Sequence, residues 1–219
     1  MSGPAPRRIE DSESCDCIVL AAGASRRMGQ SKLYLRFGGR TLIETTVANA
    51  REAGLRVIVV ARGEDERIAG LLGADATVVR NFDPERGMLS SLREGLRVVT
   101  AKRFFFIPAD MPFVRSDTYR AMAAIDSAGP VIPTADGRRG HPVLMPSFLI
   151  PAIMNLSDNV PLKTLIHDNG PVFVDMGDGS ILQDIDTSQE YEVAIGRAQP
   201  AVPDDAPSPD GAFSEAPGN

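Results

Sequence analysis

The 219-residue chain is 43% hydrophobic and 24% charged, a globular composition with enough length to bury one substantial core. Its formal net charge of -6 excludes a general attraction to nucleic acid or an anionic membrane, so any anion site has to be built locally. No apolar run is long enough to span a bilayer, and the opening MSGPAPRRIEDSESCD lacks the apolar centre of a secretory signal. The two cysteines, Cys15 and Cys17, are too close for an ordinary structural bridge. The expectation is a cytoplasmic protein with inert thiols and no nucleic-acid or membrane partner.

Residues 1–16 and 198–219 read as disordered tails, the second rich in Pro, Ala, Asp and Ser and poor in large apolar side chains. Residues 17–197 read as a single domain. Within it, short apolar runs alternate with amphipathic stretches: CIVLAA, TLIETTVANAREAG, RVIVVA, DERIAGLLG and ATVVR. The rhythm continues with MLSSLREGLRVV as a helix, RFFFIPA as a buried strand, SDTYRAMAAIDSAG as a helix and PVIPTA as a strand. This is the βαβ pattern of a parallel sheet, and strands apolar on both faces call for helices on both sides. Ligands in such sheets bind beyond the carboxyl ends of the strands, which directs attention to the loops that follow them.

The first of these loops is carried by LAAGASRRMGQSK, residues 20–32. Glycine-permitted turns there free backbone N–H groups to converge on phosphate oxygens. Gln30 and Ser31 separate Gly29 from Lys32, so the loop is not a Walker A motif, and it lacks the GxGxxG spacing of a dinucleotide fold. Arg27 offers a planar fork for bidentate phosphate contact and Lys32 a mobile point charge. The same residues would serve equally as a solvated polar turn. A second loop, PADMPF, puts Asp110 just past a strand on the same rim, where a carboxylate can hold Mg2+. A third, ILQDIDT, puts Asp184 and Asp186 beside an expected strand end and before the helical SQEYEVAIGRA. The alternatives are a turn aspartate before proline and a residue of a helix N-cap.

These segments together resemble the MobA/MocA-like nucleotidyltransferase family, the molybdopterin cytidylyl- and guanylyltransferases and their relatives. LAAGASRRMGQSK is similar to the LAAGxSxRMGxxK signature, NFDPERGMLSSLREGL to the base-binding segment, PADMPF to the metal-binding DMP, GRRGHPVLM to the GHP segment and DIDTSQEY to the closing DxDTxxDY motif. The resemblance implies a three-layer α/β/α, Rossmann-like fold of the nucleotide-diphospho-sugar transferase type with a mostly parallel mixed sheet. It further implies that Leu20, Ala21, Ala22, Gly23, Ser25, Arg27 and Lys32 grip the nucleotide, with Arg27 and Lys32 catalytic. By the same route Asn81, Gly87 and Ser91 lie along the base, and Asp110 and Asp186 hold Mg2+ or Mn2+. His141 and Arg139, with Arg138, are implied to meet the acceptor; a solvated hairpin tip is the equal alternative for the arginines. Glu190 stands where the closing motif has aspartate, Ala109 where cysteine or glycine is common, and DNVPLKTLIHDNG lacks a glycine-aspartate-arginine pattern of many relatives.

The implied chemistry is attack by an acceptor phosphate on the α-phosphorus of CTP or GTP, with pyrophosphate departing. Such catalysis is positioning and electrostatic stabilisation, consistent with the lack of a Ser-His-Asp or Cys-His set. The expectation is CMP transfer from CTP to molybdenum-bound molybdopterin, with an apo-molybdenum hydroxylase as client. The alternatives are guanylyl transfer to the same pterin, cytidylyl transfer to another phosphorylated small molecule, and a cofactor-binding maturation chaperone. Ala22 favours CTP, because guanylyl-transferring relatives commonly carry glycine there and a methyl group takes room a purine needs.

Overall fold

The protein is described by a computed structural model that covers residues 15–23 and 32–198. Five parallel-sheet strands expected from sequence are present: β1 (Cys15–Leu20), β4 (Arg56–Arg62), β5 (Thr77–Asn81), β6 (Arg103–Pro108) and β7 (Val131–Ala135). The short hairpin β2 (Arg36–Phe37) and β3 (Arg40–Thr41) stands apart as a two-stranded sheet. The main sheet runs β10-β7-β9-β6-β1-β4-β5, where β9 is Val143–Pro146 and β10 is Val172–Asp175, and β8 (Arg138–Arg139) pairs with β7. The neighbours β1/β4, β1/β6, β4/β5 and β10/β7 are parallel, whereas β9 is antiparallel to both β6 and β7. The sheet is therefore mixed and mostly parallel.

The chain moves from β1 outward to β4 and β5, then returns to place β6 on the other side of β1. Consecutive connections diverge between β1 and β6, and their carboxyl ends flank a crevice of the kind open α/β sheets use for ligands. Successive strand side chains point to opposite faces of the sheet, and both faces are buried. Cys17 and Val19 pack on α1 (Leu42–Glu52), α2 (Arg67–Leu72) and α4 (Ser116–Ala123) through Ile43, Val47, Ile68, Tyr119 and Met122. Ile18 and Phe106 pack on α3 (Met88–Leu96), α5 (Ile150–Asn155) and α6 (Leu162–Asp168) through Leu92, Leu96, Ile153 and Ile166. These are the three layers of the fold. Gly95 permits α3 to sit close on the sheet, since a Cβ there would lie 2.7 Å from a methyl of Ile18.

Local chemistry sets the starts of the elements. Thr41 caps α1 by accepting from the Glu44 N–H while the Glu44 carboxylate accepts from the Thr41 N–H, a capping box formed within TLIE. Three sequence expectations change. The first strand begins at Cys15, so Cys15 and Asp16 are strand rather than tail. ILQDIDT contains no strand end: Gly179–Leu182 is a single 3-10 turn, and Asp184 and Asp186 follow in irregular backbone before α7 (Ser188–Ala198). The strands β9 and β10 add to the sheet where four-residue runs were too short to show a period.

Candidate active site

Leu20 is the last residue of β1, and Ala21 continues its direction by donating its N–H to the Val60 carbonyl at 2.9 Å. On the next strand over, the Ala109 N–H bonds the Leu20 carbonyl at 3.1 Å, which sets the PADMPF turn beside the LAAG turn. Thr46 of α1 donates to the Ala109 carbonyl at 3.0 Å, and Asn49 donates to the carbonyls of Pro112 and Val114 at 2.9 Å each. The loop bearing Asp110 is thus tied at three points to the helix that follows the glycine loop.

Asp186 arrives from far along the chain by backbone bonds. The His141 N–H bonds the Ile181 carbonyl at 2.9 Å, and the Ile185 N–H bonds the Asp110 carbonyl at 3.1 Å. Gly140 is required at the first contact, because a Cβ would come 2.4 Å from the Ile181 carbonyl oxygen. The Glu190 carboxylate then accepts from the N–H groups of Asp186 and Thr187, at 2.8 Å each, and Thr187 caps α7 in return. These bonds to Asp186 and Thr187 hold the Glu190 carboxyl below its usual range. Glutamate in place of the motif's aspartate therefore retains a capping role, with the longer arm reaching back to the backbone.

The result is one charged cluster. Lys32, at the head of a short 3-10 turn (Lys32–Tyr34), places its Nζ 2.6 Å from Asp110 Oδ2 and 2.5 Å from Asp186 Oδ1. Burial works to lower the pKa of the ammonium, but its hydrogen bonds and charge interactions with both aspartates outweigh burial and raise it. Lys32 stays charged. Asp110 Oδ1 is buried without a hydrogen-bond partner. Among the described residues there is no group of three His, Cys, Asp or Glu side chains arranged to hold a metal ion.

This cluster stands at the wall of a cavity of about 470 Å³ between the ends of β1 and β6. The sequence-derived candidates Leu20, Ala21, Ala22, Gly23, Lys32, Gly87, Ser91, Asp110 and Asp186 all line it. Ser25 and Arg27 lie outside the described residues. Asn81 is buried and does not line the cavity, and its amide donates to the hydroxyls of Ser90 and Ser91 at 2.9 and 3.0 Å. It braces the wall rather than forming it. Gly87, at φ +89°, turns the chain into α3 with Met88 and Ser91 toward the cavity. Pro84, Glu85, Met88 and Pro108 also line the cavity. Sequence reasoning passed over them although three sit inside NFDPERGMLSSLREGL.

The acceptor candidates separate from this cavity. Arg138 and Arg139 are exposed on a hairpin with β7, and the Arg139 guanidinium lies 4.7 Å from the ring centre of Phe173. His141 packs edge-on to Phe106 at 5.8 Å, its Nδ1 is buried without a partner, and burial lowers its pKa. Asp184 faces a neighbouring groove with Phe113, Gln183 and Glu190, and burial raises its carboxyl pKa. The acidic pair of the sequence is therefore split, with Asp186 alone on the cavity wall.

With this geometry in hand, residues 17–172 match the family described as the MobA-like NTP transferase domain. The chain belongs to that family. It is a nucleotidyltransferase. The molybdenum cofactor cytidylyltransferase of Escherichia coli (strain K12) is 28% identical over 186 residues, covering 83% of this chain and 96% of that protein. A probable molybdenum cofactor guanylyltransferase of Carboxydothermus hydrogenoformans is 30% identical over 105 residues, covering 48% of this chain and 51% of that protein. The crystal structure of Rv0371c from Mycobacterium tuberculosis H37Rv superposes with a TM-score of 0.73 at 25% identity, covering 84% of this chain and 98% of that one. The same mycobacterial protein in complex with manganese has a TM-score of 0.70 at 23% identity, over 84% of this chain and 98% of that one. No helix among the described residues of this MobA-like chain is long and apolar enough to cross a membrane.

Proposed function

We propose that this MobA-like nucleotidyltransferase moves the cytidylyl group of CTP onto a molybdopterin-type phosphorylated acceptor and releases pyrophosphate. The observation that carries the reading is the cluster of Lys32, Asp110 and Asp186 on the wall of a nucleotide-sized cavity at the point where β1 and β6 diverge. Its support from relatives is the likeness along 83% of the chain to a molybdenum cofactor cytidylyltransferase.

An acceptor phosphate oxygen forms a bond to the α-phosphorus, and the bond from that phosphorus to the β-phosphate bridging oxygen breaks. Both partners are anions, so their approach needs positive charge and the leaving pyrophosphate needs more of it. Lys32 supplies one such charge from the cavity wall, and Arg27 is proposed for a second. The N-terminal turn of α3, with Gly87 and Ser91 on the wall, lies along the base, and Asn81 fixes the Ser91 hydroxyl. Two carboxylates are hard oxygen donors, and Asp110 Oδ1 is buried with no partner, so the donor set suits Mg2+ or Mn2+. Held by Asp110 and Asp186, such an ion supplies further screening of the triphosphate.

Ala22 is buried and lines the cavity. Its methyl group takes space beside the base, and a single methyl discriminates by about 1–3 kcal/mol, so CTP is preferred to GTP without absolute exclusion. The test is pyrophosphate release from each of the four nucleotides with Mg2+ or Mn2+ and a panel of acceptors including molybdopterin. Release with CTP and the pterin supports the reading. Faster release with GTP moves it to guanylyl transfer, for which the resemblance to a probable guanylyltransferase is the precedent, and release with no acceptor sinks it.

A further inference from the structure

The Lys32 ammonium contacts one oxygen of each carboxylate, at 2.6 Å from Asp110 and 2.5 Å from Asp186. All three groups belong to the proposed nucleotide site, and the inference rests on that reading. We propose that Lys32 and a divalent cation compete for this one pair of carboxylates, so that the site takes up the ion only together with a triphosphate that draws the ammonium away.

The two acids are not held together by the lysine. The Ile185 N–H on the Asp110 carbonyl, the Thr46 hydroxyl on the Ala109 carbonyl and the Glu190 carboxylate on the Asp186 N–H fix both loops through the main chain. Removing the ammonium therefore leaves two negative charges clamped side by side, a donor pair suited to a hard divalent ion. Asp110 Oδ1 remains buried and unpartnered beside the ammonium. One oxygen of the Asp110 carboxylate thus stays without a partner, which points to an occupant able to engage it as a hard oxygen donor.

Of the three side chains, Lys32 is the one with freedom to move. Its charge rides on a flexible four-carbon stem, while each carboxylate is one carbon from a tethered backbone. With the ammonium in place, an approaching divalent ion meets repulsion in a partly buried site where screening is weak. Triphosphate oxygens in the same cavity give the ammonium another anionic partner. Nucleotide and ion then bind cooperatively, each raising the affinity for the other by the same factor.

The test uses Mn2+ and the nucleotide-free full chain, with free Mn2+ followed by electron paramagnetic resonance. The wild type is expected to bind Mn2+ weakly and Lys32→Met to bind it tighter by on the order of tenfold or more, since a whole opposing charge is removed. The melting temperature of Lys32→Met should rise with Mn2+, while that of the wild type should not. Lys32→Met combined with Asp110→Asn should lose both gains. Should Lys32→Met lose its fold in metal-free buffer, the proposal requires Mn2+ to restore it. The proposal is overturned by a folded Lys32→Met with unchanged Mn2+ affinity, or by an unfolded one that Mn2+ does not rescue. Pyrophosphate release by the wild type is scored separately: its loss counts against the functional reading, whereas the Mn2+ titrations decide the competition.

Discussion

Asp16 and Asp110 sit at opposite ends of the two central strands and receive opposite treatment. Asp16, near the start of β1, is 3% exposed and saturated: Arg56 grips both its oxygens at 2.8 and 2.6 Å, and the Thr100 and Ala101 N–H groups donate to it at 2.8 and 3.2 Å. Burial pushes its pKa up, but the Arg56 and backbone bonds outweigh that and hold it below the usual carboxylate range. Asp110, just past β6, keeps one buried oxygen without a partner and gives the other to a lysine. A carboxylate with every lone pair answered is a structural brace, and one left partly unanswered is poised for something else.

The sharpest way to break this comparison is to neutralise both acids. Asp110→Asn is expected to reduce nucleotidyl transfer on the order of 10²- to 10³-fold, the scale of losing a preorganised electrostatic contact, while its melting temperature stays near or above the wild-type value. Steady-state pyrophosphate release beside a thermal melt checks both halves. Wild-type turnover by this variant would remove Asp110 from the site.

Asp16→Asn is expected to do the reverse. Breaking a buried ion pair costs roughly 3–5 kcal/mol, and because Arg56 is half-exposed the low end, about 3 kcal/mol, applies. For a domain of this size that lowers the melting point by about 6–12 °C. Turnover per folded molecule should not change.

Gly140→Ala tests whether Asp186 depends on its remote tether. The added methyl meets the Ile181 carbonyl oxygen, which is backbone and cannot turn aside, so segment 179–186 has to shift. The expected loss is about 1–3 kcal/mol of stability and roughly tenfold in turnover, since displacement by a fraction of an ångström misaligns the site. A variant with full activity and a normal melt would show that the tether has slack.

The smallest effect concerns pH. Burial lowers the His141 pKa below its ordinary 6.5, so the unfolded chain binds that proton more readily than the folded one. Stability therefore rises with pH up to about 6.5 and is lost as pH falls below it, by at most about 1.4 kcal/mol per pH unit. Denaturant melts of wild type and His141→Gln across pH 5 to 8 should diverge only on the acid side. Parallel curves would show that the imidazole is freely protonated in the fold.

Much of this was legible in the residues themselves. Apolar strands of five to seven residues and amphipathic helices show themselves locally, which is why β1, β4, β5, β6 and the helices between them could be placed from sequence. The glycine loop, PADMPF and DIDTSQEY were legible for a different reason, because the resemblance is carried by contiguous runs. The sequence by itself determined which residue types were available for phosphate and cation chemistry, and that the loops after β1 and β6 would carry them. Only the tertiary structure decided that Asn81 braces Ser91 from behind the wall, that Asp184 and Asp186 line different grooves, and that Arg139 lies on Phe173. It alone brought Lys32 between Asp110 and Asp186. Those outcomes depend on the return of a distant segment past Gly140 and on backbone bonds such as Ile185 to Asp110, and a contact between residues far apart in the chain leaves no periodic trace in either partner.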